Sequence, residues 1–127
     1  FGVETGSHTC THPKLTMVDQ DELEYELRES KARIEEMLDR PADGFCYPNG
    51  TSADLNDEVK EAVRRCGYKH ATVGFNDLNI TADMYALRRY SANSNMYYFR
   101  RALYGVENLC NRWMGTSTTA DNRQRLR

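Results

Sequence analysis

No CxxC pair occurs among the four cysteines (Cys10, Cys46, Cys66 and Cys110), and their wide spacing signals neither a thiolate zinc site nor a disulfide scaffold. No apolar run approaches the roughly 20 residues of a membrane span, and no signal-peptide pattern is visible. The first residue is Phe1 and not Met, so localisation is not read from this end. Nor does one sign of charge dominate. Seventeen basic against nineteen acidic side chains leave a net charge of −2, which makes no general case for nucleic acid or an anionic membrane as partner. At 127 residues the chain can bury one real core and is too short for two ordinary domains.

The charge that is present is unevenly placed. Residues 1–87 carry 9 basic and 17 acidic side chains, whereas residues 88–127 carry 8 arginines against Glu107 and Asp121. A solvated basic end is the simple reading, and the binding of an anionic polymer is the alternative. We divide the chain into a domain over 1–114 and a polar, Arg-rich tail over 115–127.

Residues 1–5 read as the end of a strand running into a Gly-Ser loop. Asp19 with Glu22 three positions later has capping-box spacing, and Leu23, Leu27, Ile34, Met37 and Leu38 fall on one face of a helix over 20–38. Glu24/Arg28, Glu29/Arg33 and Glu36/Arg40 form i,i+4 pairs on its wet side. Pro41 ends that helix. The apolar run at 44–47 predicts a buried strand, broken by Pro48, Asn49 and Gly50. A second helix over 56–66 turns Val59, Ala62, Val63 and Cys66 inward and stops at Gly67. Further strands are expected at 69–73 and 87–90, and a helix at 96–103. This βαβ rhythm predicts parallel strands with flanking helices and right-handed crossovers, an incomplete (β/α) barrel. In such folds chemistry collects where strands end.

Two loops follow predicted strands, and they therefore belong on one rim: 6–13 with His8 and His12, and 48–50. Histidines at i and i+4 can converge on one ion if the backbone makes about one turn. Taken alone, such a pair is more often two loop histidines than a metal site. Gly6 and Ser7 allow a tight exit from the strand, however, and Pro13 stops a helix from continuing. Cys10 would point away from the pair, and His70 reads as a core or rim histidine and not as a third ligand. Thr9 follows His8 where the zinc-protease motif has glutamate, so that motif is excluded. Catalytic zinc normally takes three protein ligands, and two histidines leave the set short.

The segments GSHTCTHPKL (6–15), DELEYELRESKARIEEML (21–38), FCYPNG (45–50) and GYKHATVGFN (67–76) together resemble the polysaccharide deacetylases, the NodB-homology hydrolases. These enzymes remove N- or O-acetyl groups from chitin-like, peptidoglycan or xylan chains. The match runs from about Val3 to Tyr90. It implies a partial deacetylase-type (β/α) barrel, and it makes His8 and His12 ligands of a divalent metal, zinc first. Tyr47, Pro48 and Gly50 become substrate-groove residues, and the backbone N–H of Asn49 a donor to the oxyanion. Tyr47 would either stack on a sugar or fill the strand end. Arg89 matches an arginine that orients the catalytic aspartate, with Arg88 as the alternative, and Cys46 stands where many members have arginine.

One family motif is missing. The T-F-D-D-G-like stretch that supplies the base and the third metal ligand should lie N-terminal of residue 1, and no Asp-Asp pair occurs in the chain. A late Leu-x-x-His-like general acid is also absent after Tyr90. The resemblance therefore implies a fragment that is inactive alone, with an open sheet edge prone to self-association. A non-catalytic carbohydrate-binding or regulatory remnant of the same fold is one alternative. An unrelated βα binding module is another. Bacterial, envelope-associated or secreted placement follows only from the resemblance. The sequons at Asn49 and Asn79 fit a eukaryotic secretory route poorly, since a glycan on Asn49 would plug the groove.

Overall fold

The computed structural model describes residues 3–74, 83–89 and 94–104. Expectations at Tyr90, Cys110, Asn79 and the 115–127 tail fall outside these residues. Helix α1 spans Gln20–Leu38, strand β1 Gly44–Cys46, helix α2 Asp57–Arg65, strand β2 His70–Thr72 and helix α3 Met96–Leu103. A one-turn 3-10 helix at Ser52–Asp54 precedes α2.

β1 and β2 pair in parallel, with Gly44 opposite His70 and Cys46 opposite Thr72. Isolated parallel bridges extend the ladder on both sides, Ser7 to Phe45 and Thr72 to Leu87. Four segments thus lie side by side in sequence order and in one direction, with α1 and α2 as the intervening crossovers. This is the arrangement of a partial α/β barrel. Of the expected strand at 1–5, residues 3–5 are described and form none, and a single bridge at Ser7 stands in its place. Pairing begins only where Ser7 N–H donates to the Gly44 carbonyl (2.9 Å) and its own carbonyl accepts from Cys46 (2.8 Å). Ahead of it Val3 is 70% exposed.

The helices start where their caps require. The Asp19 carboxylate accepts from Glu22 N–H, and the Asn56 side chain from Val59 N–H. These bonds satisfy donors that have no partner inside the helix. α1 stops as Asp39 turns left-handed (φ 50°) ahead of Pro41, and Gly67 (φ 81°) follows α2. That turn also explains a missing pair. Glu24–Arg28 and Glu29–Arg33 are ion pairs as expected, but Arg40 lies beyond the helix and none forms with Glu36 among the described residues.

The core lies between the sheet and the two crossover helices. It is built from Leu15, Leu23, Leu27, Phe45, Tyr47, Val59, Ala62, Val63, Cys66, Tyr68, Ala71 and Val73. Phe45, Tyr47, Ala71 and Val73 therefore face the helices, and the alternation of a strand turns Gly44, Cys46, His70 and Thr72 to the opposite face. Met37 and Leu38 do not join the core: they are 82% and 39% exposed at the end of α1.

Candidate metal centre on the strand rim

The residues that precede and follow each strand decide what reaches the rim. After Ser7 the chain turns through Thr9 (φ 68°) and His12 (φ 62°), two non-glycine residues in the left-handed region. Such conformations persist only where surroundings impose them. Here the surroundings are hydrogen bonds. Thr9 Oγ1 donates to the His8 carbonyl (2.5 Å) and accepts from His12 N–H (3.1 Å). From below, the Glu26 carboxylate accepts from Cys10 N–H (2.6 Å), Thr11 N–H (3.0 Å) and the Thr11 hydroxyl (2.6 Å). The loop is one held turn, and it brings the exposed His8 and His12 rings to 4.8 Å between centroids, edge to face.

The His8 ring is held further. Its Nδ1 lies 2.7 Å from the Cys46 carbonyl. A carbonyl only accepts, so Nδ1 carries the proton and the lone pair of the neutral ring sits on Nε2. A backbone acceptor fixing one ring nitrogen is the usual way in which a protein orients a metal-ligating imidazole. His8 is therefore suited to offer Nε2 to a divalent ion. Among the described residues, however, no group of three His, Cys, Asp or Glu converges on one point. His70 stands apart in its own contact: its Nε2 is 3.4 Å from Glu4 Oε1, and the ring lies so close over Gly44 that a Cβ there would come within 2.8 Å of it. Burial and then the Glu26 charge raise the Cys10 thiol pKa, which disfavours a thiolate ligand at that position.

The second loop leaves the C-terminal end of the adjacent strand. Pro48 and Gly50 are buried and Asn49 is exposed. Gly50 N–H donates back to the Pro48 carbonyl (2.6 Å), which closes a three-residue turn centred on Asn49 at φ 57°. The Asn49 N–H has no acceptor among the described residues. Beyond the turn, Thr51 N–H and its hydroxyl donate to the buried Asp54 carboxylate, whose other oxygen faces Lys14 Nζ at 3.5 Å. Thr16 Oγ1 also donates to the Ala53 carbonyl (3.2 Å), so the segments that follow the two rim loops are braced against each other.

Tyr47 is only 1% exposed and donates its hydroxyl to the Tyr85 carbonyl (2.9 Å). Of its two readings, filling the strand end is the one realised, and no face of the ring is open to a sugar. Burial holds its hydroxyl protonated far above the usual tyrosine range. Arg89 is exposed at the end of the fourth parallel segment, where its Nε donates to the Val73 carbonyl (2.9 Å). That places the guanidinium on the same rim as the histidines.

Glu26 went unrecognised in the sequence because it sits in a run of charged residues. The available signal was its position between Leu23 and Leu27 on the apolar stripe. At 2% exposure it has no cationic partner within ion-pair distance among the described residues. Burial alone would raise its pKa, but the Thr11 and Cys10 donors outweigh this and hold it below 4.5, the ordinary glutamate value. A carboxyl whose pKa is depressed in the folded chain contributes stability that is present above the unfolded value. That stability is lost as the pH falls through the folded value. The Thr11 amide should therefore lose its protection in a transition centred below pH 4.5, as read by amide exchange or chemical shift.

The family model for polysaccharide deacetylases matches residues 1–71 of this 127-residue chain, more than half of it. The chain belongs to the polysaccharide deacetylase family. Among solved structures it is similar to a Streptococcus pyogenes deacetylase in complex with acetate, at 24% identity and a TM-score of 0.64, covering 72% of this chain and 39% of that one. A Bacillus cereus polysaccharide deacetylase matches at 25% identity and a TM-score of 0.54, over 66% of this chain and 26% of that one. A Bacillus anthracis protein assigned to the same family matches at 22% and 0.64, over 76% and 31%. The chain thus spans less than half the length of these deacetylases. No curated protein matches it significantly. Among the described residues no helix is long and apolar enough to cross a membrane.

Proposed function

We propose that this chain carries part of the active site of a metal-dependent hydrolase that removes N- or O-acetyl groups from a polysaccharide of the chitin, peptidoglycan or xylan type. The observation that carries the reading is the His8 ring, fixed through Nδ1 to the Cys46 carbonyl, with its other nitrogen unpartnered among the described residues and His12 beside it. Imidazole pairs suit zinc, and His8 and His12 would hold it. When bound, such an ion lowers the pKa of a coordinated water toward neutrality and polarises the acetyl carbonyl.

The chain's own residues do the rest. The Asn49 N–H, presented by its tight turn without a competing acceptor among the described residues, donates to the oxyanion. One such donor is worth roughly 3 kcal/mol in acyl-transfer enzymes. Pro48 and Gly50 hold that turn and form the groove floor. Arg89, tied to the end of β2, orients the carboxylate that takes the water's proton. In this reading that carboxylate and the third protein ligand come from outside the described residues. The S. pyogenes relative was solved with acetate, which is the product such a hydrolysis would release here.

The test is acetate release from chitin oligomers, peptidoglycan and acetylxylan. The 127-residue chain alone should release none above background. A longer parent that supplies the missing carboxylates should be active, and His8→Ala should remove nearly all of that activity while leaving its circular dichroism unchanged. An active parent indifferent to His8→Ala would overturn the reading.

A further inference from the structure

The buried face of α1 carries an uneconomical choice of residues. Leu23, Glu26, Leu27 and Ser30 recur at i, i+3, i+4 and i+7 and are all buried, so two of the four positions on the core stripe are polar. A carboxylate without water or a cation is expensive to bury unless donors surround it. Both polar residues serve the segment that bears the histidines. Ser30 Oγ sits 2.7 Å from Ser7 Oγ, which donates to it, and itself donates to the Glu26 carbonyl (2.6 Å). The Glu26 carboxylate takes the backbone N–H groups of Cys10 and Thr11, both lying between His8 and His12, together with the Thr11 hydroxyl.

We infer that Glu26 is the positioning residue of the metal site: its carboxylate sets the turn that holds His8 and His12 at ligating separation, and so sets the affinity for the ion. This rests on the metal reading above. The geometry explains why a carboxylate is needed. Two amides converge on one oxygen while a hydroxyl occupies the other, a set of donors that only an acceptor-rich group satisfies on both sides. It also explains the left-handed Thr9 and His12. With their neighbours' amides pinned to a rigid helix, the chain must reverse within the residues that remain. Without the anchor the turn would relax, and the two imidazoles would have to be brought together at the moment of binding.

The experiment compares the 127-residue chain with Glu26→Leu, which keeps bulk and removes every acceptor, and Glu26→Gln, which keeps one carbonyl for the two amides. Val63→Ala, in the core on α2, serves as a control of lowered stability. Amide exchange is followed at Cys10 and Thr11 without metal, and affinity is measured by calorimetry with Zn²⁺ alone. Glu26→Leu should speed exchange at both amides by about tenfold or more and weaken zinc by roughly 10- to 100-fold, as for other groups that orient ligands. Glu26→Gln should recover most of the affinity, and Val63→Ala should not change it. Wild-type zinc affinity in a folded Glu26→Leu chain would overturn the assignment, as would unchanged exchange at both amides. If Glu26→Leu does not fold, Glu26→Gln decides: a loss of about threefold or more with unchanged circular dichroism supports the role, and none overturns it. A wild-type chain that takes up no zinc, while exchange at Cys10 and Thr11 still responds to Glu26→Leu, would sink the metal reading and leave Glu26 as the anchor of the loop.

Discussion

Replacing His8 and His12 together with alanine should abolish zinc uptake by the 127-residue chain. Four-ligand zinc sites bind with about 10–16 kcal/mol, so each ligand carries about 3 kcal/mol, which is roughly a hundredfold in affinity. With only two imidazoles available, wild-type affinity should already be weak, and either single substitution should bring it near the limit of calorimetry. The structure makes the two positions unequal. His8 arrives with its ring fixed by the Cys46 carbonyl, whereas His12 is held through its backbone by Thr9. The His8 substitution should therefore cost at least as much as that at His12. His70→Ala should leave uptake intact, since His70 contacts Glu4 and packs over Gly44. His8 and His12 are exposed, so each of these two substitutions should lower the free energy of unfolding by no more than about 1 kcal/mol. Unaltered zinc binding in the double variant would remove the centre of the enzymatic reading.

How much of this was legible without coordinates depended on whether the signal was local. α1 began at its capping residue and α2 ended at its glycine, because such end signals act between a side chain or backbone and the next turn. The parallel order followed from βαβ alternation, which leaves few topologies open. The histidine pair and the Pro48 turn were legible as motifs. The bracing of the segments that follow them, through Lys14, Asp54, Thr16 and Ala53, was not, since contacts across 37 or more positions leave no periodic trace. Length of burial also escaped the pattern: Met37 and Leu38 continue the apolar stripe of α1, but the burial stops short of its last turn. Glu26 escaped for the opposite reason. Its residue type belongs to surfaces, and only the loop that it serves accounts for its place in the core.

Gly50→Ala should disable the second loop and destabilise the whole chain by about 3 kcal/mol or more. Gly50 holds φ 64°, where a side chain costs about 1–2 kcal/mol. Space is tighter still than conformation. A Cβ at Gly50 would come within 2.4 Å of the Gly74 nitrogen and 3.0 Å of its Cα, both backbone atoms that no rotamer change can move. The loops would have to part, and the bond from Gly74 N–H to the Gly50 carbonyl (2.8 Å) would go with them at about 1 kcal/mol. Gly74 shares the constraint, since a Cβ there would lie 2.7 Å from the Asn49 carbonyl. The two glycines let the turn after β1 cross the end of β2 in contact, and that contact holds the Asn49 peptide in place. Urea denaturation should show the loss directly. Zinc binding by His8 and His12 should survive at low temperature in whatever fraction stays folded, because Glu26 holds their loop from another element. A Gly50→Ala chain as stable as the wild type would mean that the crossing is slack, and the Asn49 N–H would then lose its claim to a fixed place on the rim.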